Sequence, residues 1–199
     1  ALLEKKNDMQ GAEQQMKNAV AVDPKSVIAR ASLANLYLRE GNTAKVEETL
    51  NQASDDLNDT HDGASLLASY YVRTNQLDRG VSAYAALISK HPKSAQLKLV
   101  YANLLLAKRD VPKVREVTAE LTKTDPSLPE VSVLNGMLLL NDGKTDEAFG
   151  TLQKAARANP DNLQVKIWLG RAAMAKGDTT AAQQSFRDAS RINPRSMEE

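Results

Sequence analysis

The stretch Gly143-Lys144-Thr145-Asp146-Glu147-Ala148-Phe149, followed by Leu152, Ala155, Ala156 and Pro160, decides the fold. It reads as a short turn and then a helix. A small residue comes early, a large apolar one four later and a small one three after that, with a proline to stop the helix. Shifted by 34 residues, the pattern returns as Gly177-Asp178, Ala182, Phe186, Ala189 and Pro194. Shifted back, Pro126, Pro92 and Pro24 fall into line, and Asn58 fills the remaining slot. A fixed period of this length marks a repeat architecture.

The composition agrees. Of 199 residues 42% are hydrophobic and only 4% aromatic, so the core has to come from Ala, Leu, Val and Met, which favour closely approaching helices. With the prolines at position 32 of a 34-residue unit, the repeats are 27–60, 61–94, 95–128, 129–162 and 163–196, preceded by a partial one, 1–26. Residues 1–199 are then one continuous stack. Each repeat holds two helical patterns around a turn at Gly41-Asn42, Asn75-Gln76, Arg109-Asp110, Gly143-Lys144 or Gly177-Asp178. Gly and Asn suit the left-handed residue that ends a helix. Thr43, Thr145 and Thr179 are the expected N-caps, and Pro112 suits a first turn.

Three further expectations follow. Leu2 and Leu3 match the end of a first helix whose beginning is missing, and Ser196-Met197-Glu198-Glu199 stops where another repeat could begin, as in a piece of a longer chain. The joint from Asp55 to Gly63, with four aspartates and no proline, should be longer or irregular. It lacks the ligand spacing of a calcium loop.

These positions resemble the tetratricopeptide repeat family, over essentially the whole chain. The family's small and apolar pattern at positions 7, 8, 11, 20, 24 and 27 is met by Leu169, Gly170, Ala173, Ala182, Phe186 and Ala189 in the last repeat. Asn135, Gly136, Leu139, Ala148, Leu152 and Ala155 meet it in the one before. The usual aromatic at position 4 is replaced by Arg30, Ala64, Lys98, Ser132 and Lys166. The resemblance implies an all-α fold, a right-handed superhelical solenoid of antiparallel helix pairs. It also implies that first helices line a concave groove.

In that groove, position 12 supplies an apolar column of Leu38, Val72, Leu106, Leu140 and Met174. Position 9 supplies Asn35, Ser69, Asn103, Met137 and Arg171; position 13 adds Arg39 and Arg73, and position 6 adds Trp168. Such a surface suits an amphipathic helix or an extended peptide. Positions 5, 6 and 12 could equally be covered by neighbouring helices. The family's carboxylate clamp would fall on Ala31, Asn35, Leu66, Gln96 and Val100, which lack its cations.

Other functions find little support. The net charge of +1 gives no reason to expect nucleic acid or an anionic membrane. Charge runs from −3 over residues 1–60 to +4 over 61–128 and zero thereafter, the excess including Lys108, Arg109, Lys113 and Arg115 around one turn. There is no cysteine and no membrane-spanning apolar run. The two histidines, His61 and His91, fall at joints, and no nucleophile or metal motif accompanies them. The expectation is a non-catalytic scaffold without cofactor or metal, binding a protein or peptide. The alternative is a spacer that self-associates through uncapped ends, with Phe186, Ala189 and Ile192 docking on a neighbour. The Ala-, Gln- and Asp-rich repeats resemble those of long bacterial envelope and polysaccharide-export proteins, which points to the periplasm.

Overall fold

A computed structural model describes residues 2–193, with side chains from Met9 onward. Pro194 and the Ser196–Glu199 tail lie outside the described residues. The described part holds eleven helices and forms two compact units, residues 1–110 and 111–199. The boundary falls at the turn inside the repeat 95–128.

In the first unit α1 (Leu2–Val22) packs on α2 (Val27–Arg39), which packs on α3 (Thr43–Asp56). Then come α4 (His61–Arg73), α5 (Leu77–Lys90) and α6 (Ala95–Ala107), each packed on its predecessor. The second unit stacks α7 (Val111–Thr124), α8 (Pro129–Asn141), α9 (Thr145–Ala158), α10 (Leu163–Lys176) and α11 (Thr179–Ile192) in the same consecutive way. Alternate helices also meet, α4 along α6 and α8 along α10, as first helices of a repeat stack do.

The repeat positions explain the packing. Gly136 faces Leu152, whose side-chain carbons would lie 2.7 Å from any β-carbon added there, and Gly170 faces the Phe186 ring at the same distance. Position 8 is small because position 24 of the same repeat fills the space above it. In the first unit Tyr84 plays the large part. Its buried hydroxyl donates to the Ala64 carbonyl and accepts from the Ala68 N–H at 3.1 Å, and burial pushes its pKa up to about 12. Ala148, Leu152 and Ala182 are buried between helices, as the period requires.

The five turns each place one residue at positive φ: Gly41, Asn75, Arg109, Gly143 and Gly177, 34 residues apart. The caps differ from expectation. Thr43, Thr145 and Thr179 are already the first helical residues, and capping falls one residue earlier. Asn42 accepts from the Lys45 N–H at 3.1 Å and Asp178 from the Ala181 N–H at 2.9 Å, whereas Lys144 makes no cap bond. One residue must leave the left-handed turn before helical geometry starts, and that residue is the cap.

Two other expectations are corrected. The joint after Asp56 spans Leu57–Thr60, the same four residues as the other joints. Leu57 is buried there beneath Gly63, Asn58 Nδ2 donates to the Asp55 carbonyl at 2.7 Å, and Thr60 caps α4. The missing proline is replaced by a folded turn. Likewise no turn follows Leu2-Leu3, since α1 runs unbroken to Val22.

Candidate functional site

The first helices of residues 1–110 present the column that sequence position 12 marks out. Leu38 is 41% exposed and Val72 52% exposed, at a level rare for large apolar side chains in this chain. Leu106 is half-buried. Positions 5 and 6 behave differently: Leu99 and Val100 are buried, and Leu66 is half-buried. The apolar columns therefore divide, one opening outward while the others are mostly taken into the core.

Two open cavities flank this column. One, of about 310 Å³ between α2 and α4, is lined by Asn35, Leu38, Leu66, Ser69 and Arg73 among others. The second, of about 440 Å³ between α4 and α6, is lined by His61, Ser69, Val72, Arg73 and Asn103 among others. Ser65 and Ser69 spend their hydroxyls on carbonyls one helical turn back within α4. The amides of Asn35 and Asn103 and the guanidinium of Arg73 make no such bond among the described residues. Arg39 is exposed in the last turn of α2.

Residues 111–199 carry the remaining candidates on α8 and α10. Met137, Leu140 and Trp168 are half-buried against the core, while Met174 is 61% exposed. The Arg171 guanidinium stacks on the Trp168 ring at 4.4 Å, so this tryptophan is covered by its own neighbour.

Two of the basic residues around the turn at Arg109 are held by carboxylates of neighbouring repeats. Lys108 pairs with Asp78, and Arg115 with Asp142 at 2.8 Å. His61 lines the second cavity, whereas His91 is half-buried with a ring nitrogen 2.5 Å from Asp55 Oδ1. Asp55 also takes Lys90 at 2.9 Å. Burial alone would raise its pKa, but the bonds from Lys90 and His91 outweigh that and hold it below the usual value. Asp55 thus ties its repeat to the next one. Asp56 acts within its own repeat, holding the buried Arg30 at 2.8 Å, while Arg30 Nε donates to the Pro24 carbonyl in the preceding partial repeat at 2.9 Å. The absent aromatic at position 4 is visible in the sequence and the ion pair that takes its place is not; its only trace there is a cation at position 4 with aspartates near the repeat's end.

Among the described residues no cluster of His, Cys, Asp and Glu gathers that could hold a metal ion, and no helix is long and apolar enough to cross a membrane.

Tetratricopeptide repeat family profiles match the chain over residues 3–70 and 139–199, and over 65–129. Among solved structures, BtubC from P. vanneervenii superposes with TM-score 0.62 at 19% identity, covering 98% of this chain and 91% of that one. A thermophilic TPR protein of Thermus thermophilus gives 0.64 at 13% identity, over 87% of this chain and 94% of that one. YrrB, described as a TPR protein with an unusual peptide-binding site, gives 0.53 at 15% identity, over 94% and 96%. No curated protein matches in sequence. At these identities the likeness concerns the fold.

Proposed function

The chain belongs to the tetratricopeptide repeat family, and from that premise we propose that it is a non-catalytic scaffold whose α2–α4–α6 face receives a peptide or an amphipathic helix. The carrying observation is the exposure of Leu38 and Val72 beside two open cavities, with unengaged amides on either side. Apolar anchors would enter the cavities, and the Asn35 and Asn103 amides would meet peptide backbone. The peptide site of YrrB, a protein of the same fold, supports the class of partner and not its identity.

Self-association through the last helix is the weaker reading. Phe186 packs on Gly170 and Ala189 is fully buried, so two of the three residues it would use are turned inward.

The test is selection of binding peptides from a displayed library, followed by titration against Val72→Asp and Asn103→Ala. Both side chains are exposed, so both variants should keep the helical circular dichroism of the parent. Val72→Asp is expected to weaken binding at least about tenfold. Unchanged affinity for both variants would overturn the reading.

A further inference from the structure

We propose that Arg73 gives this groove a preference for acidic partners: the occupant is an amphipathic peptide carrying a carboxylate that sits on Arg73 between two apolar anchors. The inference rests on the groove reading above and adds the sign of the partner's charge.

Arg73 is the one residue type of fixed charge among those lining the cavities, and it lines both of them. No carboxylate lines either cavity among the described residues. Its guanidinium has no ion-pair partner among the described residues, whereas Arg30, Arg79 and Arg115 are each paired with a carboxylate. On either side stand the open amides of Asn35 and Asn103, one helix away in each direction. A planar fork of donors flanked by amides matches a carboxylate bonded through both oxygens. A doubly charged phosphate group is normally held by a cluster of cations, and the groove offers one. A basic peptide would set like charge against Arg73 with nothing to neutralise it.

The spacing fits as well. Leu38 lines the first cavity and Val72 the second, with Arg73 between them. An anchor in each cavity would leave the intervening stretch of peptide over the guanidinium. Arg39 occupies the equivalent place one repeat earlier but lines neither cavity, so it serves as an internal control.

The experiment uses the whole chain and short labelled peptides that share two leucines one helical turn apart and differ only in carrying Glu, Gln or Lys beside them. Affinities are measured by fluorescence anisotropy for the parent, Arg73→Gln, Arg39→Gln and Val72→Asp, each checked for unchanged helical content. The Glu peptide is expected to bind about tenfold more tightly than the Gln peptide, the scale of one charge-assisted hydrogen bond. That advantage should vanish in Arg73→Gln, persist in Arg39→Gln and shrink as salt is raised. Equal affinity for the Glu and Gln peptides, or an advantage that survives Arg73→Gln, would overturn the inference. If Val72→Asp still abolishes binding in that case, the groove reading stands without it. If Val72→Asp binds every peptide as the parent does, or if no peptide binds the parent, both readings fail.

Discussion

A β-carbon at Gly63 would lie 2.2 Å from the Leu57 β-carbon and 2.7 Å from its carbonyl oxygen, whereas one at Gly11 would meet nothing within 4 Å. The same substitution should therefore act in opposite directions. Gly63→Ala is expected to cost about 1–3 kcal/mol by forcing backbone apart, and Gly11→Ala to gain about 1 kcal/mol from helix propensity alone; urea denaturation of the two variants reads both. Thr118 offers a third case. Its buried hydroxyl has no hydrogen-bond partner among the described residues, so Thr118→Val should raise stability by about 1–2 kcal/mol, and a lower midpoint would contradict this. At this scale the sequence was readable wherever a single residue type is demanded. The turn positions were legible even at Arg109, because the period points to them although glycine is absent. The caps were not, because Asn42-Thr43 and Asp178-Thr179 each offer two good capping residues side by side. Backbone geometry alone chooses between them.

Among the elements, α1 is held by a contact that no periodic argument would reveal. Glu13 accepts from the Tyr37 hydroxyl at 2.7 Å and lies 2.8 Å from Lys17 and 3.2 Å from Lys45, so one carboxylate joins α1 to α2 and α3. The bonds from Lys17, Tyr37 and Lys45, in that order, lower its pKa from 4.5 to about 2. A depressed carboxylate pKa stabilises the fold above the unfolded value and loses that contribution as pH falls through the folded one. Docking of α1 should thus weaken between pH 4.5 and about 2. Hydrogen exchange along α1 should show the loss in the parent, and Glu13→Gln should be looser at neutral pH and less sensitive to acid. Identical profiles for the two proteins would contradict the assignment. The joint after Asp56 teaches a related lesson. Its acidic, proline-free sequence suggests irregularity, yet a buried Leu57 and the pairs made by Asp55 and Asp56 shape it like its neighbours. Long-range partners decided it, and they are invisible in a local reading.

Over the whole molecule, the 34-residue period specified the helices, their order and the face on which each repeat position lies. It did not specify which apolar columns stay open, because that depends on how closely neighbouring first helices approach. Leu99, Val100, Val133 and Leu134 are buried, while Leu38, Val72 and Met174 are exposed. We place the working surface on the first-helix face around Leu38 and Val72. Methyl NMR of the chain during titration with a selected peptide would show which face the peptide occupies. The Leu38, Leu66 and Val72 methyl signals should shift, and those of Val81 and Ile88 on the second helix α5 should stay in place. Shifts concentrated on α5, with Leu38 and Val72 unmoved, would contradict the claim.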